Sequence, residues 1–186
     1  LQDAGVDAVL PPLSQRIELE VDGQAWALQC HFQTLRPKGL LGWRYGPSRA
    51  GDYLDAWLQH LALCVAAPAH VAPHTHWLSA AGDFSLRRCD DAAAQLAALL
   101  RCYRQGLREP LPFYPRSAWA LIVESRSRAL AAWRATADRP FGEEADPAYR
   151  LALRGVVDPL DGRFEALAAR IFEPLLKHLD DTRLVR

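Results

Sequence analysis

Apolar and polar positions alternate early in the chain. Over Arg16–Val21, Ile17, Leu19 and Val21 interleave with Arg16, Glu18 and Glu20. That is the period of a strand with one face on a core and one in water. Asp22-Gly23 predicts a tight hairpin turn. Ala25–Leu35 reads as a second strand, with Trp26, Leu28, Cys30 and Phe32 mostly on one parity. Arg36-Pro37-Lys38-Gly39 turns the chain again, and Leu40–Tyr45 predicts a third strand that stops at Gly46-Pro47. The three strands are expected to form a meander.

The period then becomes helical. Leu54, Trp57, Leu58, Leu61 and Val65 form one stripe, Ser48 is placed to cap it, and Pro68 ends it. His74–Ser79 and Asp83–Arg88 predict a short strand pair around Ala81-Gly82. Asp90 is read as the cap of a helix with stripe Leu96, Leu99, Leu100, Tyr103 and Leu107, and Gly106 lies near its end. Three prolines in EPLPFYP (109–115) demand an extended connector. Trp119, Ile122, Arg126, Ala129, Leu130 and Trp133 predict one long helix, and Asp138–Glu144 a polar loop. Asp146-Pro147 suits an N-cap and first-turn proline. A last helix is predicted from near Pro159 with Phe164, Leu167, Ile171 and Leu175 inward, and Pro174 should kink or split it. Strands, a helix, strands and then helices specify an α+β fold, an α/β layer with a small mixed sheet flanked by helices. Residues 1–15 are an uncertain N-terminal segment, and residues 16–186 are read as a single domain.

Length and composition narrow the functional classes. A chain of 186 residues can bury a core. A formal net charge of zero argues against a free-standing nucleic-acid binder, but not against a domain that touches nucleic acid within an assembly. No run of 18 apolar residues exists, so no membrane association is expected, and no secretory signal is visible. Cys30, Cys64, Cys89 and Cys102 are widely spaced and read as buried thiols of a reducing cytoplasm. The chain has no Met and opens on LQDAGVDAVLPPL, which reads as a piece of something longer. Between Asp22 and Asp52 there is no acid, while Arg36, Lys38, Arg44 and Arg49 are present. This local basic surface is either a solvated face or a phosphate-contacting one.

The chemistry-bearing residues are sparse. His70, His74 and His76 cluster with Cys64 and Cys89 as the nearest soft ligands, but the spacing is irregular. A zinc site needs three or four ligands in fixed geometry, and an exposed proline-rich loop explains the histidines, so no metal or cofactor is expected. H-E-x-x-H, G-x-S-x-G and Gly-rich phosphate loops are missing. The adjacent acids Asp90-Asp91, Glu143-Glu144 and Asp180-Asp181 read as helix caps or solvated surface.

Four strings carry a resemblance: GLLGWRY, DYLDAWLQHLAL, CYRQGLREPLPFYPRSAWA and GEEADPAYRLALRG. In order and spacing they resemble the C-terminal region of the RecC family, the gamma subunit of exodeoxyribonuclease V, and IFEPLLKHL resembles the family's last helix. The resemblance implies a PD-(D/E)-x-K nuclease-like domain similar to that of the partner RecB. Active members of that class put one acid on a strand and D-x-K on the next strand across a hairpin, so that two carboxylates hold Mg²⁺. Laid on that pattern, Gln33 stands at the first acid, Gly42-Trp43-Arg44 replaces D-x-K, and Trp57 stands at a helical Gln. The implied domain lacks its catalytic ligands. It is a non-catalytic scaffold that guides DNA beside RecB and RecD in a cytoplasmic helicase–nuclease of double-strand-break repair, with Arg36, Lys38 and Arg49 as the DNA-contacting residues. The competing expectations are a metal nuclease with displaced ligands, drawn from Glu20, Asp52 and Asp55, and a protein-interaction module without DNA contact.

Overall fold

A computed structural model describes residues 8–136 and 140–184. The chain forms two compact units, where the sequence reading took 16–186 as one domain. The first runs through Tyr103 and resumes at Lys177, and the second is Arg104–Leu176.

Unit 1 begins with a ribbon. Strands β1 (Leu13–Val21) and β2 (Gln24–Phe32) pair antiparallel from Leu13↔Phe32 to Val21↔Gln24. The predicted turn is present, with positive φ at both Asp22 and Gly23, the conformation of a type I′ hairpin. The expected meander is not formed. The second strand ends at Phe32, and after Gln33-Thr34 the chain starts a different sheet of five strands. There β3 (Leu35–Arg36) and β4 (Gly39–Arg44) make a short hairpin. Helix α1 (Ala50–Ala66) crosses over, and β5 (Thr75–Ser79) returns parallel to β4. Strands β6 (Phe84–Leu86) and β7 (Leu179–Asp180) complete the order β3-β4-β5-β6-β7. The sheet is mixed, as expected.

The break at Gln33-Thr34 has a packing reason. Ile17 and Phe32 of the ribbon, Leu35 and Leu40 of the hairpin, and Ala62 and Leu63 of α1 form one buried cluster. A continuous meander offers α1 one face; two separate pieces let it bury two. The expected helical stripe is accordingly shifted. Tyr53, Ala56, Trp57, His60, Leu61 and Leu63 are buried, whereas Leu58 is exposed. The cap is Arg49 rather than Ser48, and the Asp52 carboxylate accepts from the Arg49 main-chain N–H at 2.7 Å. Helix α2 (Ala92–Gly106) lays Ala97 and Leu100 on Val21 of the ribbon, and Asp91, not Asp90, immediately precedes it. Its expected apolar residues Tyr103 and Leu107 are exposed.

Unit 2 is built around Tyr114, which is buried among Trp133 (ring centroids 4.3 Å apart), Tyr149 (5.1 Å) and Phe164 (5.6 Å). The expected long helix is two, α3 (Pro115–Val123) and α4 (Arg126–Trp133). Ser125 interrupts it because its hydroxyl accepts from the Arg128 N–H and starts a new N-terminus. Part of the loop expected over 138–144 lies outside the described residues; Glu143–Ala145 form a single 3₁₀ turn. Helix α5 (Pro147–Ala152) begins at Asp146-Pro147 as anticipated. Helix α6 (Gly162–His178) starts later than Pro159, at the point where Asp161 accepts from the Arg163 and Phe164 amides. It runs uninterrupted through Pro174, with Phe172 and Leu175 buried on either side of the proline. Among the described residues no helix is long and apolar enough to cross a membrane.

Candidate functional site at the end of β4

Strand β4 presents alternate residues to α1. Leu40, Gly42 and Arg44 share a face with Thr75 and Trp77 of β5 and with Phe84 and Leu86 of β6, following the strand register. Gly42 and Trp77 are direct partners in the parallel pair. A Cβ at position 42 would lie 2.3 Å from Cε3 and 2.5 Å from Cζ3 of the Trp77 indole. The ring thus fills the volume that a side chain at 42 needs. It is held there by Phe84, whose ring stacks on Trp77 at 5.9 Å and on Tyr53 at 4.4 Å.

Two acids near this strand end each have a cation. Arg44 donates through Nη1 to both Asp52 oxygens, at 3.1 and 3.3 Å. Asp181 is fully buried. It accepts from the Tyr53 hydroxyl at 2.7 Å and from Arg183 through Nε at 2.7 Å and Nη2 at 2.6 Å. Burial pushes the Asp181 carboxyl up, but the Arg183 guanidinium and the Tyr53 hydroxyl outweigh it and hold the group below its ordinary range. Burial and then Asp181 raise the Tyr53 hydroxyl well above its ordinary value. A Mg²⁺ site needs carboxylate oxygens free to face the ion. Here the charge is already met by guanidinium groups, which do not deprotonate in proteins.

Deeper on α1, His60 is fully buried. Its Nε2–H donates to the Arg87 carbonyl at 2.9 Å, and its Nδ1 accepts from the Thr75 hydroxyl at 3.0 Å. Burial lowers its pKa to about 4. Trp57 stacks against this ring and against His178, with centroids 5.8 and 5.5 Å apart.

The residues singled out from sequence fall as follows. Gln33 is exposed in the link between β2 and β3. The hairpin register Leu35↔Leu40, continued by the Leu41 N–H to Thr34 carbonyl bond, brings Gln33 level with Gly42. Arg36 and Lys38 lie at the β3–β4 turn, and Arg49 caps α1. Strand β4 spans about 17 Å at 3.3 Å per residue, and Arg49 follows its other end. Of the displaced-ligand candidates, Asp52 is committed to Arg44 and the α1 cap, Asp55 is exposed and bonded to Gln59, and Glu20 is exposed on the ribbon. Sequence reading missed Tyr53, Asp181 and Arg183. Tyr53 was detectable, because it stands four and seven residues before Trp57 and His60. Nothing local marks Asp181, whose partner is 128 residues away. Also missed was the exposure of Trp43 and Tyr45, which are 57% and 97% accessible.

Residues 4–126, more than half of the chain, match the family model of the RecC C-terminal domain. A comparison with curated proteins gave no match.

Proposed function

Since the chain belongs to the RecC C-terminal domain family, we propose that it is a non-catalytic, DNA-guiding scaffold of the gamma subunit in a RecBCD-type helicase–nuclease. The family sets the context: RecC works with RecB and RecD in DNA repair and recombination. The finer reading is an emptied PD-(D/E)-x-K nuclease fold. Its chief support is the Trp77 ring over Gly42, which fills the space that the D of D-x-K requires. The arginine partners of Asp52 and Asp181 support it further, since they use the charge that a catalytic cation needs.

A guiding role draws on what the two ends of β4 still offer. Arg36, Lys38 and Arg49 supply cations for phosphate, and the exposed rings of Trp43 and Tyr45 supply faces on which unpaired bases stack. Binding of this kind is independent of sequence and sensitive to salt.

The test is made in the complex assembled with RecB and RecD. Changing Arg36, Lys38 and Arg49 together to Ala is expected to weaken DNA binding. It should also flatten the salt dependence by about 0.7–0.9 in log–log slope for each phosphate that is no longer neutralised. Assembly should survive. Failed assembly with an intact fold would reassign the residues to a subunit interface, and no change in either would make them a solvated face. The isolated chain with Mg²⁺ should leave linear duplex uncut; cleavage abolished by Asp52→Ala would restore the nuclease reading.

A further inference from the structure

Away from the strand end, unit 1 gathers a second set of donor groups. Cys89, Asp91 and His178 each bring one ligand atom to within 4.8 Å of the other two. Cys89 and Asp91 lie on the segment between β6 and α2, and His178 is the last residue of α6. The backbone fixes their meeting. The Arg87 N–H donates to the His178 carbonyl at 2.9 Å, the Arg87 guanidinium donates to the Lys177 carbonyl at 3.2 Å, and β6 pairs with β7 immediately beyond.

Two of the three donors are also held by groups outside the cluster. His178 Nδ1 donates to the Arg88 carbonyl at 3.2 Å, which leaves the lone pair on Nε2. One Asp91 oxygen is held by the Gln95 side-chain amide at 2.7 Å, and the other accepts from the Cys89 thiol at 3.1 Å. Supports of this kind fix ligand geometry in metal sites. Cys89 also lines a cavity of about 400 Å³, together with Cys64, Arg88 and Asp90.

We propose that Cys89, Asp91 and His178 bind a divalent ion of the zinc class, which pins the end of α6 to the start of α2. Bonds of 2.0–2.3 Å around tetrahedral Zn²⁺ set donor–donor separations of about 3.3–3.7 Å. The Cys89–Asp91 pair, at 3.1 Å, is already in contact, and the other separations must close by about 1.5 Å or less, within reach of the exposed Asp91 and half-buried His178 side chains. One thiolate and one imidazole favour zinc over the hard cations, which take oxygen. The thiolate and the carboxylate balance the ion's two charges, and the thiol proton leaves to solvent. Water from the cavity side completes the fourth position. The ion then bridges segments 90 residues apart in sequence.

The experiment titrates the full chain, freed of metal by a chelator, with Co²⁺ and then with Zn²⁺. The expected result is the visible spectrum of tetrahedral, thiolate-ligated Co²⁺ at one ion per chain, displaced by Zn²⁺, with a rise in melting temperature. Cys89→Ser should abolish the thiolate band, and His178→Gln and Asp91→Asn should each weaken Co²⁺ binding at least tenfold. Cys30→Ser and Cys102→Ser should leave it intact. If Cys89→Ser does not fold, the two other ligand variants decide by the same titration. A chain that gives no such spectrum, or a spectrum that survives all three ligand changes, would overturn the proposal.

Discussion

Adding one methyl group at position 42 tests the packing that underlies the functional reading. In Gly42→Ala the new Cβ meets Trp77 ring carbons at 2.3 and 2.5 Å, whereas carbon atoms rest at about 3.5–4.0 Å. The ring or the strand must therefore retreat by about 1 Å or more. Trp77 has little room, because it is only 8% exposed and is backed by Phe84, which is backed in turn by Tyr53. Overpacking of this kind costs about 1–3 kcal/mol. Trp77→Ala alone should cost about 3–5 kcal/mol through the cavity it leaves. On that background Gly42→Ala should be close to neutral or mildly stabilising, since alanine is better than glycine within a strand by about 0.5–1 kcal/mol. The cycle of four proteins should thus give a coupling of about 1–4 kcal/mol. Hydrogen exchange of the β4 and β5 amides reads this unit by itself, which matters because two compact units need not unfold as one. Equal cost of Gly42→Ala with and without the indole would refute the claim that Trp77 fills this volume. The reading of position 42 as an emptied ligand position would then lose its chief support.

Two further outcomes are expected. His60 has a folded pKa of about 4 against an ordinary 6.5, so its neutral form is the folded form and its contribution is complete above about pH 6.5. As the pH falls from there toward 4, the unfolded chain takes up a proton that the folded chain refuses. Stability should drop by about 3 kcal/mol in total; urea titrations across that range should show this slope, and His60→Gln should flatten it. Glu143 is buried and accepts from the Arg116 and Ser117 amides and the Ser117 hydroxyl at 2.9, 2.8 and 2.6 Å. Glu143→Ala should cost about 2–4 kcal/mol and Glu143→Gln less, as read by denaturation followed through Trp119 and Trp133; an unchanged midpoint for Ala would remove Glu143 as the cap of α3.

What could be read from the sequence was local. Alternation along Arg16–Val21, the Asp22-Gly23 turn and the helical spacing around Trp57 each concern neighbours within one element, where period and propensity act directly. The parting of ribbon and sheet at Gln33-Thr34 was not readable, because it depends on α1 having two faces to bury. His60 was passed over as polar, although Thr75 and Arg87 satisfy it in the core. The paired acids read as helix caps or solvated surface. Glu143 is indeed a cap, but of α3, 26 residues earlier, and Asp181 is a buried partner of Tyr53; no spacing rule reaches that far along a chain. The same holds for Cys89, whose expected companions were His70, His74 and His76. Distance in sequence hid its neighbour His178.

The first unit contains the last strand of the sheet, and this has a consequence during synthesis. Everything from Arg104 to Leu176 is made before β7. Until Leu179 and Asp180 emerge from the ribosome, β6 has a bare edge, the Arg87 amide lacks the His178 carbonyl, and Tyr53 lacks Asp181. An unpaired strand edge invites pairing with other chains. The nascent middle, meanwhile, already has the aromatic groups that close around Tyr114. The order of translation is therefore the reverse of the order of completion: the segment begun second is finished first, and the segment begun first keeps an open sheet edge until its final strand arrives.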